Sequence, residues 1–217
     1  MSHEVARVNM KKQQLRTGNV FYEPVLALFD TFPREEFVPF AFKSFAYSDM
    51  QIPLPHEQCM MTPLEEALLL QSLALQGHEV VLEVGTGTGF LTAMLSRMCK
   101  KVVSVDYYAD FTAMARRRLD QYQCTNVELL TGDASSGWLD KAPYDVIVFT
   151  GAFDALNKTQ RLQILPGGKL FAIIGKASVM QAQLHTFDHS GQWHEQFVFE
   201  TRLPPLIDAL KPHPFVF

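Results

Sequence analysis

Val80-Val81-Leu82-Glu83-Val84-Gly85-Thr86-Gly87-Thr88-Gly89-Phe90 decides how this chain folds. It begins as an apolar run suited to a buried parallel strand. Three alternate glycines follow, and the chain then passes into Leu91-Thr92-Ala93-Met94-Leu95-Ser96-Arg97-Met98, which has helical spacing. Strand, tight Gly-rich turn and helix N-terminus build a nucleotide-type site at the carboxyl edge of a sheet. Glycine supplies positive φ there and lets a ligand approach where a Cβ would block it.

The spacing narrows the ligand. A dinucleotide fingerprint needs Gly-x-Gly-x-x-Gly, but the third glycine is Gly89, and Phe90 stands where that fingerprint would want it. Glu83 would repel a pyrophosphate and suits a ligand carrying an amino group. The stretch resembles motif I of the class I S-adenosylmethionine-dependent methyltransferases. That resemblance implies that Glu83, Gly85, Thr86, Gly87 and Gly89 wrap the methionine end of S-adenosyl-L-methionine, with S-adenosyl-L-homocysteine as product. The plainer reading is a Gly-rich turn with no ligand.

A chain of 217 residues, 47% of them hydrophobic, is enough for one domain with a full core. A net charge of -4 gives no electrostatic footprint for nucleic acid. No apolar run reaches membrane-spanning length, and Met1 to Arg7 lacks the pattern of a signal peptide. Cys59, Cys99 and Cys124 are odd in number and far apart, which suits neither a disulfide framework nor a metal site. The expectation is a cytoplasmic protein, monomer or dimer, without metal.

Outward from the loop, the chain divides into a helical and loop extension (1–60), a cofactor-binding βα core (61–175) and antiparallel strands with a tail (176–217). Residues 3–18 read as a helix with Val5, Val8, Lys12 and Leu15 on one face. A second helix carries Val25, Leu28, Phe29 and Phe32 and ends before Pro33. Residues 41–60 show no sustained period and read as a long apolar loop that serves a site. Thr62-Pro63-Leu64-Glu65 is a capping box that opens a helix running to Gly77. Strands are expected near 101–106, 126–131, 144–150 and 169–175, and a short helix over 154–163 with Leu156 and Leu162 inward. Met180, Ala182, Leu184 and Thr186 then alternate with polar residues, and Gln196 to Glu200 pairs with them as a hairpin. The expected fold is α/β, a Rossmann-like class I methyltransferase: a mostly parallel seven-stranded sheet, a C-terminal antiparallel hairpin and an N-terminal helical extension.

Further site residues fall at the same strand ends. Asp106, closing the second strand, can accept both hydroxyls of a ribose, and it is equally a turn former. Tyr107 beside it can flank an adenine. Gly132, Asp133 and Ala134 follow the third strand, where Asp133 either accepts from the adenine amine or makes an Asx-turn. Thr150 and Gly151, after the fourth strand, should line the gap between cofactor and acceptor.

Beyond these motifs the chain resembles the protein-L-isoaspartate O-methyltransferase family along nearly its whole length. The matching pieces include Pro33-Arg34-Glu35-Glu36-Phe37-Val38-Pro39, Ala46-Tyr47-Ser48-Asp49, the Gly loop, Gly132-Asp133, Tyr144 to Val148, and Leu165-Pro166-Gly167-Gly168-Lys169-Leu170. The first piece is more specific than the Gly loop. The resemblance implies methylation of the free α-carboxylate of isoaspartyl residues in a protein or peptide, the first step of their repair. One stretch departs from the family, which has Gly-Gln-Thr-Ile-Ser-x-Pro where this chain has Glu57-Gln58-Cys59-Met60-Met61-Thr62-Pro63. That alignment places Met60 and Met61 beside the cofactor. A serine hydroxyl becomes the thioether of Met61, which cannot donate. Thr62, one position on, is the candidate catalytic replacement. The alternatives are a methyltransferase with a different acceptor, and a cofactor-binding protein without turnover.

Overall fold

The computed structural model describes residues 2–176 and 179–207. The tail beyond 207, part of the expected 176–217 segment, lies outside the described residues. The extension holds α1 (His3–Met10) and α2 (Glu23–Thr31), then 3₁₀ turns at Arg34–Glu36 and Phe40–Phe45. A ribbon follows, β1 (Ile52–Pro53) with β2 (Cys59–Met60), and then α3 (Pro63–Leu73). The core runs β3 (Val80–Val84), α4 (Phe90–Ser96), β4 (Lys101–Asp106), α5 (Ala109–Gln121), β5 (Val127–Thr131) and β6 (Tyr144–Phe153). It closes with α6 (Lys158–Arg161), β7 (Ile164–Lys176), β8 (Val179–Phe187) and β9 (Trp193–Thr201).

Seven strands form one sheet in the order β5-β4-β3-β6-β7-β8-β9. Pairing is parallel from β5 through β7 and antiparallel across β7, β8 and β9. The chain winds outward from β3 to β5, then returns to place β6 on the other side of β3. The connections leaving β3 and β6 therefore diverge, which opens a crevice at their carboxyl ends. Alternate residues of each strand serve opposite faces: Val81, Val102 and Val148 join one core, Leu82, Val103 and Ile147 the other. Among the described residues no helix is long and apolar enough to cross a membrane.

Phe90, which takes the place of a dinucleotide glycine, is a packing residue. It opens α4, is 1% exposed, and its ring centroid lies 5.9 Å from Phe29 and 5.2 Å from Phe37. Phe32 and Tyr122 extend this aromatic cluster, which fastens the extension to the core.

The structure departs from the sequence pattern in five places. The first helix changes after Met10 into a π turn at Lys11–Leu15, so Met10 and Leu15 are buried while Val5 and Val8 face solvent. The apolar loop carries a 3₁₀ helix and the β1–β2 ribbon. α3 stops at Leu73 because Ala74 turns left-handed (φ 46°). Leu165 to Gly168 lies within β7, beside a register shift against β6. Leu156 packs against the core as expected, but Leu162 is 71% exposed, and the fully buried side chains near it are Gln160 and Gln163. Their amides donate to the carbonyls of Ser135 and Ser136, so polar groups there tie down a loop.

Candidate functional site

The Gly loop has the backbone its composition requires. Gly85, Gly87 and Gly89 have φ of 99°, 52° and 83°. A Cβ on Gly85 would come within 2.1 Å of Thr150 Oγ1, so the position is closed to any side chain without rebuilding. Thr150 itself donates to the carbonyls of Val84 and Gly85, joining the ends of β3 and β6 across the crevice. Asp106 closes β4 with one oxygen on the Gly87 N–H (2.8 Å) and the other on the Tyr108 N–H (3.0 Å). Burial raises its carboxyl above the usual range, and those two N–H donors pull the other way.

These groups border one cleft at the carboxyl edge of the sheet, where ligands of open α/β sheets bind. Of the residues singled out in the sequence, Gly85, Gly87, Asp106, Tyr107, Gly132, Asp133, Ala134, Thr150 and Gly151 line it. Asp133 also accepts from the Ser135 N–H, so the Asx-turn is present in the same residue that faces the cleft. Leu54, Gln58, Tyr108, Phe111 and Leu206 line it as well, and sequence reasoning missed them. Leu206 arrives from beyond β9 through a bond of its N–H to the Ala152 carbonyl, for which no local signal exists.

The 57–62 stretch forms one wall. At the ribbon tip His56 and Glu57 both have positive φ (57° and 58°), the geometry of a tight two-residue hairpin in non-glycine residues. Contacts hold it there. His56 stacks on Tyr108 with ring centroids 3.9 Å apart, and its Nε2 lies 3.0 Å from Asp110. That contact keeps the Asp110 carboxyl below its ordinary range.

Behind the ribbon is a smaller lobe lined by Met60, Met61, Glu66, Thr86 and Phe90, with Gly85 and Gly87 shared between lobe and cleft. A third cleft carries Phe153, Lys176 and Arg202, and Cys59 borders all three spaces. Burial, then the charge of Glu65, pushes the Cys59 thiol up to about 11, so it is a neutral thiol rather than a nucleophile near pH 7.

Two expectations are corrected here. Thr62 lines none of the three spaces. Its hydroxyl accepts from the Glu65 N–H at 3.2 Å as the cap of α3, and the capping geometry turns it away from the junction. Glu83 is fully buried beneath the Gly loop, where the hydroxyls of Thr92 and Ser104 donate to Oε2 and Oε1 has no partner among the described residues. Strand alternation turns its side chain to the face covered by α4, so it is not open to a ligand's amino group.

Burial pushes the Glu83 carboxyl up to about 8. Its folded value lies above the unfolded one, about 4.3. Its contribution is thus present below that pH and lost as pH rises through about 8. Glu83→Gln should therefore gain stability relative to the parent between pH 5 and 9. Thermal unfolding of both proteins checks this, and a gap independent of pH would contradict it.

Comparison with known proteins adds an independent line. The family model described as Protein-L-isoaspartate(D-aspartate) O-methyltransferase (PCMT) matches residues 7–210. The protein-L-isoaspartate O-methyltransferase of Herpetosiphon aurantiacus is 34% identical over 204 residues, covering 94% of this chain and 90% of its own. That of Brucella anthropi is 32% identical over 181 residues, 83% of each chain. A solved protein-L-isoaspartate O-methyltransferase superposes with a TM-score of 0.77 at 27% identity, covering 96% of this chain and 67% of that one. A second, from Plasmodium falciparum in complex with S-adenosyl-L-homocysteine, is alike in fold, with a TM-score of 0.78 at 16% identity over 95% and 98% of the two chains.

Proposed function

Because this chain belongs to the protein-L-isoaspartate O-methyltransferase family, we propose that it is an S-adenosylmethionine-dependent methyltransferase acting on the free carboxylate of isoaspartyl residues in a protein or peptide. The observation that carries the reading is the meeting of three spaces at Cys59, one bounded by the Gly loop and Asp106, one by Arg202. The residues present fit the cofactor. Gly85 and Gly87 border the cleft with backbone alone, and Asp106 keeps lone pairs beyond its two backbone bonds for ribose hydroxyls. Tyr107, Tyr108, Asp133 and Ala134 would flank the adenine, and the Gly loop with Met60 and Met61 would enclose the methionine end.

When bound, the cofactor supplies a methyl group on a positively charged sulfur. An ionised carboxylate attacks as it stands, so no side chain has to remove a proton, and the chain's work is alignment and exclusion of water. Lys176 is paired with Asp154 at 2.9 Å, whereas the Arg202 guanidinium has no carboxylate partner among the described residues. An unpaired guanidinium in the neighbouring cleft favours an anionic acceptor.

Met61, 5% exposed where the family resemblance calls for a hydroxyl, favours a second reading in which the acceptor is another molecule. Transfer of labelled methyl to an isoaspartyl peptide and to its aspartyl isomer separates the two. The first reading expects labelling of the isoaspartyl peptide in preference, rising about tenfold or more in Met61→Ser, where a hydroxyl can donate to the carboxylate. Negligible labelling of both peptides by both proteins would sink it.

A further inference from the structure

The lobe behind the ribbon holds a carboxylate that is only half partnered. Glu66 stands in the first turn of α3, is 3% exposed, and lines the lobe beside Met60, Met61, Thr86 and Phe90. Its Oε2 accepts from Arg34 Nε at 3.1 Å, and no hydrogen bond among the described residues ends on Oε1. The side chain is nearly all buried, yet Oε1 is not sealed off, so a donor that enters the lobe can meet it there. The lobe adjoins the cleft through Gly85 and Gly87, so a nucleoside seated at Asp106 reaches it through whatever its 5′ carbon bears. Glu83, the carboxylate that the sequence pattern offered to an ammonium, is shut off beneath the loop.

Resting on the cofactor reading above, we infer that Glu66 receives the α-ammonium group at the methionine end of S-adenosylmethionine. The ligand class is thus an adenosine joined to an α-amino acid, read at one end by Asp106 and at the other by Glu66. Three other charged groups surround Glu66. Arg34 approaches from the 3₁₀ turn. Glu65, on the same helix, is turned to the Thr62 N–H and the Thr201 hydroxyl. Glu83 lies on β3 behind its two hydroxyl donors. Burial pushes the Glu66 carboxyl up to about 7, while the Arg34 charge and hydrogen bond hold it down and Glu65 raises it. An ammonium binds the ionised form, so its contribution grows as pH rises through about 7.

Titration calorimetry on the full chain tests this with two probes, S-adenosylhomocysteine and 5′-methylthioadenosine, which share the nucleoside but differ in the amino-acid end. The wild type should prefer the former. In Glu66→Gln that preference should fall about tenfold to a hundredfold, the loss expected for a charge-assisted bond, with the affinity for methylthioadenosine unchanged. Retained methylthioadenosine affinity also reports a folded variant. An undiminished preference in Glu66→Gln, or no preference in the wild type, overturns the inference and leaves the cofactor reading standing. If neither probe binds the wild type, the cofactor reading itself is lost. Should the variant not fold, the wild-type preference decides: it should rise between pH 6 and 8, and a flat profile overturns the inference.

Discussion

Arg34→Met lowers the stability of the fold by about 3–5 kcal/mol at neutral pH, the usual loss when one partner of a buried ion pair is removed. Arg34 is fully buried and works on three segments at once. Its Nε donates to Glu66 on α3, Nη1 to the Ala46 carbonyl in the extension at 3.0 Å, and Nη2 to the Met61 carbonyl beside the lobe. Its guanidinium lies 5.5 Å from the Phe90 ring centroid at the start of α4. The methionine leaves a carboxylate and two carbonyls without their donor, which should drop the melting temperature by roughly 6–20 °C. Glu66 already has a folded value above its unfolded one, so its share of stability is lost as pH rises through about 7. The penalty of Arg34→Met is accordingly larger at pH 8 than at pH 5. Adding Glu66→Leu should restore the carboxylate's share of the loss but not that of the Ala46 and Met61 carbonyls, which still lack a donor. A single variant within about 1 kcal/mol of the parent, the scale of a surface pair, would show that Arg34 is not the tie described here.

Asp106→Ala should weaken S-adenosylhomocysteine and 5′-methylthioadenosine alike, by a hundredfold or more. Two bonds to a charged acceptor contribute roughly 1.5–3 kcal/mol each, and the ribose is common to both ligands. The substitution also frees the Gly87 and Tyr108 N–H groups that Asp106 now holds, so the Gly loop loses its shape as well as its acceptor. Asp106→Asn keeps one acceptor oxygen and should fall between the two. Calorimetry with both ligands is the check. A variant that loses only S-adenosylhomocysteine would place Asp106 at the amino-acid end and contradict the orientation argued here.

These two residues differ in how far the sequence announced them. Asp106 closes an apolar run directly after a Gly-rich turn, and period and spacing are enough to place it. Arg34 stands out in the Pro33 to Pro39 motif, but nothing in that motif says that its guanidinium is buried against a glutamate 32 positions on. Glu66 is harder still, since the second acid after a helix cap reads as an ordinary first-turn charge favoured by the helix dipole. Glu83 misled for a local reason: its neighbours in the sequence are the loop, but strand alternation sends its side chain under that loop. Thr62 misled in the opposite way. Its capping box was legible, and the cap already commits the hydroxyl that catalysis would need.

What the sequence determined by itself is what the backbone dictates over a few residues. That covers the strand into the Gly loop, the positive φ at Gly85, Gly87 and Gly89, the cap at Thr62, and the change of period that turns the sheet antiparallel after β7. Only the tertiary structure decided which polar groups meet across the crevice. The junction at Cys59, the stack of His56 on Tyr108, the arrival of Leu206 and Arg202, and the half-partnered carboxylate of Glu66 join segments far apart in the chain. Their chemistry depends on burial and on partners that exist only once the extension has closed over the sheet.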